Sequence, residues 1–201
     1  EMQKEWEKVS IYDRGEILYK FVNLVEENKE RLARLLSEET GKPITEARGE
    51  IANVRIGVRG FVEKAKHLYG ESLVGSSELG NEKTMQITTR APLGVIVAII
   101  PFNFPSDLFC QKVPPALMMG NSIIVKPSNY NPLTLIEYVK LMVEAGVPAG
   151  VIQVVTGDGP IVGQALARNK GVSLVSLTGS TGAGIQTMGT ASQNLTHVML
   201  E

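Results

Sequence analysis

Cysteine is nearly absent: Cys110 is the single copy in 201 residues, so no disulfide can close within the chain. The opening Glu1-Met-Gln-Lys-Glu-Trp lacks the apolar core of a secretory leader and reads as the middle of a chain. No apolar run approaches the length of a membrane span. Aromatic residues make up only 5% of the sequence, and 20 Lys and Arg are balanced by 21 Asp and Glu, for a formal net charge of -1. No basic stripe with interleaved aromatics is left to hold nucleic acid. The two histidines, His67 and His197, and the acids fall at no metal-ligand spacing, so no metal site is expected. Internal repeats and low-complexity segments are also missing. What remains, at 43% hydrophobic, is the profile of one large globular domain or part of a larger protein, expected in the cytoplasm.

The first third reads as helical. Between Ile11 and Leu36 apolar residues fall at 11, 18, 21, 22, 25, 32, 35 and 36, a one-sided stripe with a break expected near Asn28. Thr40-Gly-Lys-Pro43 ends it. Ile44, Ala47, Ile51, Val54, Val58, Phe61, Ala65 and Leu68 then mark one long helix whose seam is core. Tyr69 to Asn81, with Gly70, Gly75, Ser76 and Ser77, reads as a loop, and Thr84 to Arg90 alternates like an exposed edge strand.

From Gly94 the register changes to strand, helix, strand. Strands are expected near 94–100, 121–125, 151–155, 172–177 and 196–200. Val95 to Ile100 is continuous in Val, Ile and Ala, as a strand covered on both faces would be. Ser106 is placed to cap a helix running to Met118. Asn131-Pro132 reads as a cap followed by proline at the first helical position, and Gly146 sits where that helix should end. Short connectors and right-handed crossovers make this a Rossmann-like, doubly wound parallel α/β sheet preceded by helices.

Ligands in such sheets bind beyond the carboxyl ends of the strands, where Asn103 and Lys126 are the first polar side chains after two apolar runs. Both are also ordinary loop residue types. Glycines gather at two further strand-to-helix turns, Thr156 to Gly163 and Leu177 to Gly184. Glycine at a helix N-terminus lets phosphate approach unpaired N–H groups. Gly157, Gly159 and Gly163 are one residue too long for G-x-G-x-x-G, so phosphate contact at Gly159 and Gly163 stands beside a packing role; at the second turn ligand contact is favoured.

Pro101-Phe-Asn-Phe-Pro105, Lys126-Pro-Ser128, Leu177-Thr-Gly-Ser-Thr181 and Met199-Leu-Glu201, in this order, resemble the NAD(P)-dependent aldehyde dehydrogenase superfamily. Asp13 to Leu18, Glu38 to Pro43 and Glu46 to Gly49 are similar to its opening helices. The resemblance implies that Asn103 donates its amide to the oxyanion formed from the aldehyde and that Glu201 is the base that activates the deacylating water. A carboxylate suits that work once partial burial raises its pKa. It also implies that Lys126 and Ser128 meet the adenosine ribose, that Gly179, Ser180, Thr181 and Gly184 lie beneath the pyrophosphate, and that Ile100, Pro101 and Phe102 line the nicotinamide end. The cofactor is then NAD or NADP. Asn129 stands where many NAD-preferring relatives have a glutamate that would repel a 2′-phosphate, so NADP is expected to be accepted.

The family's cysteine nucleophile is not Cys110, which lies in a helix and is expected in the core. The resemblance makes residues 1–83 the N-terminal helices of the cofactor-binding domain, 84–91 a strand toward an oligomerisation domain, and 92–201 the Rossmann-like part. The activity implied is oxidation of a small aldehyde to an acid by a homo-oligomeric enzyme, with no nucleic acid or membrane as partner. A cofactor-binding fragment or pseudoenzyme, and an acylating dehydrogenase or reductase relative, stand as alternatives. Acylating relatives often lack a carboxylate at the position of Glu201, because a water-activating base would waste their thioester.

Overall fold

The computed structural model describes residues 1–75 and 79–201. Helices fill the first third: α1 Met2–Trp6, α2 Ile11–Glu27, α3 Lys29–Thr40 and α4 Ile44–Lys66. The break at Asn28 falls where the apolar stripe predicts it. Gly41, at φ 73°, ends α3 in the left-handed conformation that glycine adopts without strain. α1 has no apolar period to announce it and is anchored by Trp6, which is 1% exposed and donates from its indole Nε1 to the carbonyl of Leu117 at 2.9 Å, and by Gln3, which donates to the carbonyl of Gly120.

A hairpin follows, β1 Ser72–Val74 pairing antiparallel with β2 Met85–Ile87. β2 is the expected edge strand. β1 corrects the reading of Tyr69 to Asn81 as loop throughout: its three residues carry no alternation long enough to read and are ordered by their partner. Ser76 and Ser77 lie outside the described residues.

The winding half runs β3 Val95–Ile99, α5 Pro105–Met118, β4 Ser122–Lys126, α6 Leu133–Ala145, β5 Ile152–Val154, a π-helical turn Gly159–Gly163, α7 Gln164–Ala167, β6 Leu174–Leu177, α8 Thr181–Ala191 and β7 His197–Leu200. The strands form one sheet in the order β5-β4-β3-β6-β7, every pair parallel. Chain order reverses between β3 and β6, which opens a crevice at their carboxyl ends. The fold is the doubly wound Rossmann type expected.

Side chains on β3 alternate between two cores. Ile96, Ala98 and Ile100 join Ile123 and Val125 beneath α5 and α6, with Phe21, Phe109 and Tyr138 filling the space up to the outer layer of α2, α3 and α4. Val97 and Ile99 face the smaller core of Ala167, Val172 and Val175 on the other side. The helix α4 crosses α5 closely at Gly57, where an added Cβ would sit 3.2 Å from that of Cys110.

Two cap expectations are corrected. Pro105 starts α5 one residue early, Ser106 lies inside the helix, and its hydroxyl accepts from Tyr138 instead. Asn131 does not cap α6: Pro132 holds the N-cap position, the Asn131 Oδ1 accepts no helix N–H, and its Nδ2 donates to the carbonyl of Phe102; the first N–H groups of that helix, on Leu133 and Thr134, donate to the two oxygens of Glu39 on α3 at 2.7 and 2.9 Å. Gly146 ends α6 as expected, at φ 117°. Among the described residues no helix is long and apolar enough to cross a membrane.

Candidate functional site

The carboxyl ends of β4, β3, β6 and β7 are knitted side by side by backbone bonds that continue past the strands. Ile100 N–H donates to Lys126, Thr178 N–H to Ile99, and Gly179 and Glu201 bond each other's strand ends at 3.1 and 3.0 Å through the carbonyls of Glu201 and Leu177. This row gathers Asn103, Lys126, the Gly179 turn and Glu201 at one rim of the sheet.

Asn103 stands exposed just beyond β3 between exposed Phe102 and Phe104, with partly buried Pro101 and buried Ile100 behind it. Its carbonyl oxygen accepts from the Lys42 ammonium at 2.9 Å, and its side-chain amide bonds no other described residue. The ring of Phe102 meets Tyr130 edge-on at 6.1 Å.

Lys126 ends β4 and is 2% exposed. Its ammonium donates to the carbonyl of Pro127 at 3.0 Å, which leaves N–H capacity for a further acceptor. Burial pulls its pKa below the ordinary lysine value, with the Asp158 carboxylate opposing that shift. Ser128 accepts from the N–H of Tyr130, and Asn129 is exposed.

At the second glycine turn Ser180 caps α8, its hydroxyl accepting from Ala183 N–H at 3.2 Å. The N–H groups of the first turn lie outside the helical ladder and carry its positive end. A pocket of about 240 Å³ opens there, lined by Gly179, Ser180, Thr181, Gly184, Leu200 and Glu201 among others. A larger cavity, about 410 Å³, lies at the opposite ends of the strands, around Val95 and Ser122, and gathers none of these groups.

The first glycine turn is built differently. Gly157 is the position that needs glycine, at φ 138° and with Val162 Cγ2 only 2.7 Å from a would-be Cβ. The Asp158 carboxylate accepts from Ile161 N–H, so an acid already sits at the mouth of the π-helical turn, where it repels phosphate. Gly163 is buried, with Ile99 Cδ1 at 3.7 Å from its would-be Cβ, a packing contact; Gly159 is open.

The Glu201 carboxylate is held by two side chains. It accepts from Lys112 Nζ and from Thr178 Oγ1, both at 2.8 Å, while Lys112, buried in α5, also reaches Ser176. The hydrogen bond from Lys112, then that from Thr178, hold the Glu201 carboxyl below its usual pKa, against the smaller pull of burial. The shift runs opposite to the one expected of a buried base. Lys112 escaped the sequence reading although it breaks the apolar stripe Phe109, Val113 and Ala116. Cys110 is 3% exposed, and burial pushes its thiol far above the ordinary value, which fits its expected place in the core. His67 bonds Tyr69 at the surface and His197 is exposed on β7. Among the described residues no cluster of His, Cys, Asp or Glu could hold a metal.

A sequence model of the Aldehyde dehydrogenase family matches residues 1–201, the whole chain. The chain belongs to the aldehyde dehydrogenase family. It is 40% identical over 175 residues to the 3-sulfolactaldehyde dehydrogenase of Priestia megaterium, covering 87% of this chain and 37% of that protein. Against the NADP-dependent succinate-semialdehyde dehydrogenase of Escherichia coli it is 37% identical, covering 98% of the chain and 40% of the relative. Its fold superposes on the Bacillus halodurans NADP-dependent glyceraldehyde-3-phosphate dehydrogenase complexed with NADP at a TM-score of 0.94 and 36% identity, over 99% of the chain and 42% of that structure. The chain thus spans about two fifths of the length of these aldehyde dehydrogenases.

Proposed function

We propose that this chain is the cofactor-binding part of an aldehyde dehydrogenase that oxidises a small aldehyde to its acid and accepts NADP. The observation that carries the reading is the rim of the sheet, where an incompletely bonded buried ammonium, an exposed amide, the N-terminus of α8 and a paired carboxylate follow one another along the adjacent ends of β4, β3, β6 and β7. These groups fit a nicotinamide dinucleotide. Lys126 reaches the ribose hydroxyls or a 2′-phosphate beside Ser128, and the α8 N-terminus at Gly179, Ser180, Thr181 and Gly184 receives the pyrophosphate. Ile100, Pro101 and Phe102 give the nicotinamide end an apolar wall. Gly163 packs and the turn of Gly159 carries an acid, so neither is assigned to phosphate.

The bound nicotinamide supplies the hydride acceptor. Asn103 donates its amide to the oxygen that becomes negative when a nucleophile adds to the aldehyde carbon, a preorganised neutral donor whose loss typically costs about 100-fold or more in rate. Glu201 takes the proton from the water that cleaves the acyl intermediate, and Lys112 and Thr178 keep it charged and aimed. The nucleophile comes from elsewhere in the enzyme, since Cys110 is buried. A retained, oriented Glu201 favours hydrolysis over transfer to another acyl acceptor. The β1–β2 hairpin, with exposed Leu73, Met85 and Ile87, is the part of the chain that would join partner subunits of a homo-oligomer, and the cytoplasm suits a chain with one buried cysteine.

Steady-state kinetics of the full-length enzyme with both cofactors test the proposal. NADP is expected to be used, because neutral Asn129 leaves Lys126 free to pair with the added phosphate. A preference for NAD above about a thousandfold, roughly 4 kcal/mol, overturns the cofactor reading, and no reduction of either with any aldehyde overturns the activity.

A further inference from the structure

The loop that carries Asn103 is exposed at its tip yet held from beneath by residues from three other places in the chain. Phe102 carbonyl accepts from Asn131 Nδ2 at 2.8 Å. Asn103 carbonyl accepts from Lys42 Nζ at 2.9 Å, and Ser106 N–H donates to Glu50 Oε1 at 2.7 Å. Lys42 and Glu50 are themselves ion-paired, with side chains only 11% and 2% exposed, and the Lys42 ammonium lies 4.7 Å from the centre of the Phe104 ring. The base of Lys42 is also fixed, because its carbonyl accepts from Ser37 Oγ at 2.7 Å and it sits between left-handed Gly41 and Pro43.

An ion pair this deep is an expensive way to hold the α3–α4 connector against α4, since apolar side chains of the same volume would hold them at least as well. What apolar side chains cannot do is bond backbone groups on both sides of an exposed loop tip. The Lys42–Glu50 pair does this: the ammonium holds the carbonyl of Asn103 and the carboxylate holds the N–H at the first turn of α5. With Phe102 tied to Asn131, the backbone on either side of the Asn103 side chain is fixed, and the amide is aimed before any ligand arrives.

We infer that the Lys42–Glu50 ion pair is a positioning device for Asn103, setting the direction of the oxyanion donor from outside the cofactor domain's sheet. The inference rests on the role proposed above for Asn103. It assigns Lys42 and Glu50 to the rate of the chemical step and not to cofactor affinity, which is handled by Lys126 and α8.

The test is a double-mutant cycle in the full-length enzyme, assayed on glyceraldehyde, succinate semialdehyde and propanal with NADP. Lys42→Met alone would strand the buried Glu50 charge and could unfold the protein, so the working variant is Lys42→Met with Glu50→Gln; its amide oxygen still accepts from Ser106. In the parent background this pair of changes is expected to lower kcat about 10- to 100-fold per folded site, the cost of a small misplacement, with the KM for NADP unchanged. Lys42→Arg, which keeps donors for both partners, restores most of the loss. In an Asn103→Ala background the same changes should cost nothing further, because the group they aim is gone. Losses that add fully on Asn103→Ala, or a lowered thermal midpoint with kcat per folded site intact, overturn the inference and leave the proposed activity standing. An inactive parent, or an Asn103→Ala variant as fast as the parent, removes both together.

Discussion

Lys112 reaches Glu201 from the middle of α5, and the 2.8 Å bond between them decides when that carboxylate is charged. The pair lowers the carboxyl pKa in the fold, so its contribution to stability is complete above the unfolded carboxylate's pKa and is lost as pH falls through the lower folded value. The same shift keeps Glu201, the proposed base, ionised to lower pH than an unpaired carboxylate. Lys112→Met should therefore shift the acid limb of the kcat–pH profile of the full-length enzyme to higher pH; an unmoved limb would show that Lys112 does not control Glu201. Asn103 and Lys126 could be found in the sequence because each is the first polar side chain after an apolar strand. Lys42, Glu50 and Lys112 could not, because their partners come from distant elements. Glu50 and Lys112 left a trace as a charge on an apolar helical stripe, Glu50 beside Ala47 and Ile51, and Lys112 beside Phe109 and Val113; Lys42, in the connector between α3 and α4, left none.

At the scale of elements, α6 illustrates how one segment depends on another. Its N-terminus is capped by Glu39, whose carboxylate takes both Leu133 and Thr134 N–H groups and meets the positive end of the helix. Glu39→Ala should cost about 1–2 kcal/mol, read as a lower denaturant midpoint with an unchanged slope; a change under a few tenths would mean that water replaces the cap. That cap was illegible locally, since Asn131-Pro132 carries the usual signature and the true capping group lies on α3. The sheet strands were legible for the opposite reason. Burial on both faces writes itself as unbroken Val, Ile and Ala, whatever the partner strand. β1 and the π-helical turn left no such mark, being too short for a period and held by β2 and by the Asp158 cap respectively.

For the molecule as a whole, the proposed oxyanion donor, Asn103, and the proposed base, Glu201, are present while the one cysteine is buried. Residues 1–201 expressed alone should bind cofactor weakly and oxidise no aldehyde. NADPH absorbance with short aldehydes checks this beside a Cys110→Ser control, and turnover lost in the serine variant would place Cys110 in the chemistry. The edge strand β7 leaves Met199 48% and Leu200 39% exposed, a surface that invites aggregation when nothing covers it. The order of the sheet also sets a timetable. Ile96 of the central strand pairs early with Ile123 on one side, but its other neighbour, Leu174, is synthesised only after α6, β5 and α7. Until β6 emerges from the ribosome, β3 carries a bare edge, and Val97 and Ile99 lack the second core that α7 and β6 complete. Closure of the β3–β6 seam can therefore come only after β6 has been made, and the crevice at their carboxyl ends exists only from that moment.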